Sequence, residues 1–239
     1  MKKFIHISSI LFCSSLLCVT TSCNDYLNIP VEAKEPVKTI DYTDMSLADE
    51  ILMGAYSHAT STAGSWSRLG INAVRGDDVE KGNPSPSDQY TLTLFHKFDY
   101  SEAPTYWALD GAWNDEYQAI SDMNEGIASL EKFSETTTSA TDKATIVKYI
   151  AQIRVLRAYE YFLVSRLFGA VPVFTKNADK QGLHRSTFEH VIQFVISECK
   201  DAAGSLDNIK PNQATPKGSV TRYTALGLMA KAAAEILDY

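Results

Sequence analysis

Gln152–Thr175 reads QIRVLRAYEYFLVSRLFGAVPVFT, and this stretch decides the fold class. From about Thr145 it has the pattern of one long helix. Ala151, Val155, Ala158, Phe162 and Ser165 recur at helical spacing on one face, while Ile150, Ile153, Leu156, Leu163 and Leu167 cover much of the remainder. A helix apolar on most sides is buried on most sides. Ala151, Ala158 and Ser165 are small residues one heptad apart, which lets a neighbouring helix approach closely, and Tyr159, Tyr161, Phe162 and Phe168 fill the gaps. Gly169 supplies the positive-φ residue that ends such a helix, and Pro172 forbids its continuation.

Working outward, the chain reads as helix after helix. Ser46-x-x-Asp49 resembles a capping box, and Leu47, Ile51, Ala55 and Ala59 continue its stripe. Trp113, Tyr117, Ile120, Asn124, Ile127 and Leu130 form a second stripe, with Asp115 and Glu116 near its positive end. Ser134–Thr141 reads as a polar linker. Ser186-x-x-Glu189 caps a helix whose stripe is Phe188, Val191, Ile192, Val195, Cys199, Ala202 and Leu206. Thr221 caps the last, with Tyr223, Leu226, Ala230, Ala233 and Leu237 on one face. Residues 61–112 show little helical period and read as one long irregular insert. The expected fold is therefore all-α: antiparallel helix pairs in a short stack. Ala158-x-x-x-Phe162 also fits a piece of the tetratricopeptide pattern.

The amino terminus carries the layout of a lipoprotein leader. Lys2 and Lys3 precede an apolar run from Phe4 to Val19, and Thr20-Thr21-Ser22 supplies small residues before Cys23. The run is short for a membrane span. The pattern predicts a signal peptide over 1–22, lipid on Cys23, and a tether over 23–45 leading into a helical domain over 46–239; cleavage of an ordinary secreted protein nearby is the alternative. Acyl chains on one Cys suffice for stable anchoring. Loss of 1–22 also removes Cys13 and Cys18, so Cys199 is left as a lone thiol, placed on an apolar stripe as a core residue. Loss of Lys2 and Lys3 moves the net charge from −7 to −9. An acidic chain without a basic stripe argues against nucleic acid and against attraction to anionic lipid. A hydrophobic content of 45% is ample for a core.

The long-helix stretch also carries a resemblance. Arg154, Leu156, Arg157, Ala158, Tyr159, Tyr161, Phe162, Val164, Arg166, Leu167, Phe168, Gly169, Val171 and Pro172 resemble the signature helix of the SusD/RagB family of surface glycan-binding lipoproteins. Cys23–Asn28, Ala48–Ala59 and Trp113–Ile127 are similar to the family's mature start, first helix and W-x-x-x-Y-x-x-I-x-x-x-N helix; Arg185–Leu206 and Val220–Leu237 match more loosely. The resemblance implies an outer-membrane lipoprotein that passes glycan oligomers to a TonB-dependent, SusC-like transporter. The family's chains continue well past the equivalent of Tyr239, and this chain stops inside an amphipathic helix, so it is expected to be the amino-terminal part of a longer protein.

The 61–112 insert holds the candidate glycan contacts. Sugar rings stack their C–H faces on aromatics, and their hydroxyls pair with carboxylates and arginine. Trp66, Arg75, Asp77, Asp78 and Trp107 are the residues chosen, and Arg75–Gly82 (RGDDVEKG) resembles a family segment near the ligand face. Each aromatic has the competing reading of a side chain that pins the insert onto the helices. Enzyme motifs are lacking: there is no His pair at ligand spacing, no Cys-x-x-Cys, no G-x-S-x-G and no phosphate loop. Asp77, Asp78 and Glu80 are too close in sequence to face each other across a glycosidic bond. Neither a metal nor a cofactor is expected. Two other readings stand beside glycan capture: a lipid-anchored helical scaffold for peptide or protein partners, and a glycan-processing enzyme.

Overall fold

The computed structural model describes residues 40–82, 85, 87–101, 106–180 and 182–237. The leader over 1–22, Cys23 and most of the tether lie outside the described residues. The remainder carries seven α-helices: α1 (Met45–Ala63), α2 (Trp66–Ala73), α3 (Tyr90–His96), α4 (Trp107–Thr136), α5 (Ala140–Phe168), α6 (Phe188–Ala203) and α7 (Arg222–Glu235). No strand occurs among the described residues; one antiparallel bridge joins Val171 to Ser186. No helix among them is long and apolar enough to cross a membrane.

α4 and α5 form an antiparallel hairpin, α1 leans on both, and α6 and α7 extend the stack from α5. The expected α5 face is buried throughout, from Ala151 to Ser165. Gly169 closes α5 at φ +76°, and its amide donates to the Ser165 carbonyl at 2.7 Å. Cys199 is fully buried and its thiol is pushed up to about 12 by that burial, so it is a core residue. Behind α5 the Tyr161 side chain pins the chain after Pro172. The Tyr161 hydroxyl donates to the Phe174 carbonyl at 2.7 Å and accepts from the Phe174 amide at 2.9 Å.

Several boundaries differ from the sequence expectation. α1 is capped by Asp44, whose carboxylate accepts from the Ser46 amide, and α6 by Thr187, which accepts from the His190 amide. The Ser134–Thr141 linker shrinks to Thr137–Ser139. The Thr136 hydroxyl bonds back to the Lys132 carbonyl at 2.8 Å and carries α4 onward, and Ser139 caps α5 early through the Asp142 amide. The 61–112 stretch is less irregular than its sequence suggests. It holds α2, α3 and the first turns of α4, the short helices being too brief to show a period. In α7 the inward face is Ala225, Leu228 and Ala232, not the stripe of larger residues; Tyr223 and Leu237 are 49% and 73% exposed. Small residues face inward because α7 packs closely on α6.

Candidate functional site

α2, α3 and the start of α4 build a small satellite beside the main stack. Ser65 caps α2 by accepting from the Arg68 amide. α2 crosses α4 at Gly111, where a Cβ would lie 2.7 Å from Ser67 Oγ, so any larger residue there must push that hydroxyl aside. Arg68 pairs with Glu116 beneath this crossing, and both residues are buried. Ile71, Val74, Leu92, Phe95, Tyr106 and Ala108 form a core separate from the main one. Gln89 and Phe98 flank α3 at φ +50° and +56°, turning the chain sharply at both ends of this two-turn helix.

The satellite shows its aromatics to solvent. Phe95 anchors Tyr106 at 5.4 Å and Tyr100 at 5.7 Å between ring centres, and Tyr106 in turn supports Trp107 at 5.6 Å. Among its described rings, Phe95 and Tyr106 are the buried ones. Tyr90, Phe98, Tyr100 and Trp107 are 49%, 62%, 46% and 53% exposed. Exposed large rings grouped on one small unit make it the candidate interaction surface.

The sequence candidates fall around this unit. Trp66 opens α2, and its side chain lies outside the described part. Arg75 follows the α2 C-cap Val74, is half-buried, and donates from Nη2 to Asn72 Oδ1 at 3.0 Å. Asp77 and Asp78 follow on the same turn, both exposed. Trp107 is the first residue of α4. Arg75 adjoins Val74, and Trp107 adjoins Ala108; Val74 and Ala108 belong to the same small core, so one unit supports both parts of the candidate set. Trp107 is not a core residue.

Sequence reading missed a second surface. Trp113 and Tyr117 look like a packing stripe, yet both are half-exposed and line an open cleft of about 520 Å³ with Asn114, Gln118, Phe174 and Lys180. Tyr117 stacks on Phe174 at 6.0 Å and donates to the Pro172 carbonyl at 2.8 Å. Burial, with Tyr161 nearby, raises its phenol well above the ordinary range. Two aromatics and two amides at i, i+4 on adjoining helix faces were the available clue. Deeper, between α1, α2 and α5, the Glu160 carboxyl is pushed up to about 8 by burial, against the opposing pull of the Thr62 hydroxyl at 2.9 Å and of the Arg68 charge.

Comparison with known proteins agrees with this architecture. A family described as starch-binding and associating with the outer membrane matches residues 25–233. A SusD-like protein of Bacteroides ovatus is 30% identical over 197 residues, covering 80% of this chain and 34% of that protein. Another, from Formosa agariphila, is 25% identical over 230 residues, covering 94% and 42%. Surface glycan-binding protein A from Bacteroides uniformis shares the fold at 21% identity and TM-score 0.66, over 82% of this chain and 43% of that one. A laminarin-binding SusD-like protein does so at 22% identity and TM-score 0.64, over 81% and 40%. A structure described with a xylogluco-oligosaccharide matches at 26% identity and TM-score 0.62, over 77% and 34%. The chain thus spans between a third and a half of the length of these relatives. Its helical stack, the matched family and these relatives together show that the chain belongs to the SusD-like family.

Proposed function

We propose that this protein captures oligosaccharides at the outer membrane by ring stacking and hydrogen bonding, without chemistry, and delivers them to a TonB-dependent, SusC-like transporter. A lipid on Cys23 holds it at the membrane, facing the cell exterior. The observation that carries the reading is the satellite's exposed aromatic group around Trp107 in a chain of the SusD-like family. Arg75, Asp77 and Asp78 border that surface as hydrogen-bonding partners for sugar hydroxyls, and Trp66 opens the same unit. The Trp113–Tyr117 cleft supplies a second set of rings and amides. Two relatives, one named as laminarin-binding and one described with a xylogluco-oligosaccharide, support the ligand class.

Affinity electrophoresis of the whole protein through gels containing single polysaccharides tests this. One gel is expected to retard it, and Trp107→Ala is expected to weaken that binding by about 1–3 kcal/mol. Because Trp107 is 53% exposed, the melting temperature should barely move. Loss of stability in step with binding would make Trp107 a packing residue. Retardation by no glycan, with capture by a peptide array, would favour the peptide-scaffold reading, and released oligomer products would show an enzyme. Cys23→Ala is expected to move the protein from the membrane to the soluble fraction.

A further inference from the structure

A polar cleft of about 370 Å³ lies between α2 and the carboxyl-terminal half of α5. α2 contributes Arg68 and Asn72, spaced i, i+4 on one helix face, and Arg75 enters from the turn just past its C-cap Val74. α5 contributes Leu163, Arg166 and Leu167. Three guanidiniums thus converge on a cleft that no described carboxylate lines. Their acidic partners are set back from it. Arg68 pairs with Glu116 on its α4 side, and Arg166 Nε meets Glu235 Oε1 of α7 at 2.9 Å. Among the described residues Arg75 has only the Asn72 amide oxygen, at 3.0 Å.

Arg68 makes this a built feature. The residue is 7% exposed, and its Nε has no hydrogen-bond partner among the described residues. A buried guanidinium N–H without an acceptor is costly, and an oxyanion in the cleft would place negative charge beside this under-satisfied guanidinium. Burial lowers the Arg68 pKa, and the nearby Arg166 charge lowers it further, although Glu160 and Tyr159 oppose this. An incoming negative charge would relieve that repulsion. Planar guanidinium forks match carboxylate and sulfate oxygens pairwise, and Leu163 and Leu167 offer an apolar wall to the ring that carries the anion.

We propose that this cleft binds one oxyanion group of the ligand, so that the protein's glycans are acidic: oligosaccharides bearing a uronate carboxylate or a sulfate ester. This rests on the glycan-capture reading above and narrows it to a charge class.

Calorimetry at low ionic strength on the whole protein tests the cleft with two matched pairs. One pair is oligogalacturonate and its methyl ester; the other is a sulfated galactan oligomer and its desulfated form. In at least one pair the charged member is expected to bind about tenfold tighter than the neutral one, as charge-assisted pairing to arginine implies. The pair that shows it identifies the anion. Arg75→Gln and Arg166→Gln change partly exposed side chains, so the fold should persist, and each is expected to remove most of that preference. Arg166→Gln should leave neutral-glycan binding unchanged, whereas Arg75→Gln should weaken it as well, because Arg75 also borders the Trp107 surface. Inorganic sulfate is titrated separately by thermal shift. If no glycan binds but sulfate raises the melting temperature of the parent and of neither variant, the anion cleft stands and the glycan reading falls. Equal binding of charged and neutral members, or a preference that both variants retain, overturns the proposal. So does the lack of any response to all four oligomers and to sulfate.

Discussion

Two buried side chains on α5 carry opposite lessons about polar groups in a core. Glu160 is fully buried, with its carboxyl pushed up to about 8, against an ordinary 4.5. The folded state therefore holds a proton that the unfolded chain releases. Stability is fullest below the unfolded value, falls as pH rises from about 4.5 toward 8, and is flat above that. Glu160→Gln keeps the shape and can keep the Thr62 hydrogen bond but does not titrate. Its stability relative to the parent is expected to rise between pH 5 and pH 8, reaching about 1–3 kcal/mol. Chemical denaturation across that range measures it, and a difference constant with pH would mean that Glu160 is ionised in the fold and paired with Arg68. Tyr161 is the satisfied case, since its hydroxyl serves both the amide and the carbonyl of Phe174 while its ring meets Phe194 edge-on at 5.2 Å. Tyr161→Phe keeps the ring and strands two buried backbone groups, for an expected loss of about 2–3 kcal/mol in urea unfolding. A loss under half a kilocalorie would show that water or Asn124, 3.5 Å from the same carbonyl, takes over.

At the scale of elements, the seam between α5 and α6 is ionic at its centre. Glu198 of α6 accepts from Arg154 Nη2 at 2.7 Å and from Arg157 Nη2 at 2.5 Å, and Arg157 Nη1 reaches Asn124 of α4 at 2.6 Å. Arg157 therefore ties three helices. Burial alone would raise the Glu198 pKa, but hydrogen bonds and charge from Arg154 and Arg157 hold it below the ordinary range. The sign is opposite to that of Glu160: this contribution is present above the unfolded pKa of about 4.5 and is lost as pH falls through the folded value. Glu198→Gln is expected to cost about 3 kcal/mol at pH 7, because it leaves Arg157 buried without a carboxylate. The gap between variant and parent should close as pH falls through the parent's lowered folded pKa and its own carboxyl protonates. An undiminished gap at low pH would assign the loss to packing. This seam was invisible in the sequence: Arg154 and Arg157 read as parts of a motif, and nothing singled out Glu198. Helical period located α5 and its buried face, because an apolar pattern over eight turns leaves few alternatives. It could not say which charged residues turn inward, since that depends on a partner 41 residues away.

Taken as a whole, the molecule has two cores of unequal size, and this difference separates what was legible from what was not. The main core joins α1 and α4 to α7, long helices whose stripes are written in their own sequence. The satellite core is held by six buried residues from two short helices, the residue before α4 and its first turn. Its order comes from tertiary docking: the Arg68–Glu116 pair, the Gly111 crossing and the Phe95–Tyr106 contact. None of these has a local period, so 61–112 read as an irregular insert although its aromatics were recognised as candidates. The α7 face was misread for a related reason, since a stripe of larger apolar residues outweighed the small residues that pack inward. The energetic consequence is that the satellite should open more easily than the main stack. Local opening free energies follow the apolar area that each cooperative unit buries. Native-state hydrogen exchange should therefore show the amides of α3 and the carboxyl-terminal turn of α2 exchanging well before those of the middle of α5, at a free energy below that of global unfolding. A bound oligosaccharide that contacts the Trp107 surface must add its binding free energy to the closed satellite alone. Exchange should then slow in α2, α3 and the start of α4 and remain unchanged at the centre of α5. Slowing confined to residues around Trp113 and Tyr117 would instead assign the glycan to the α4 cleft, and uniform slowing would mean that satellite and stack open as one unit.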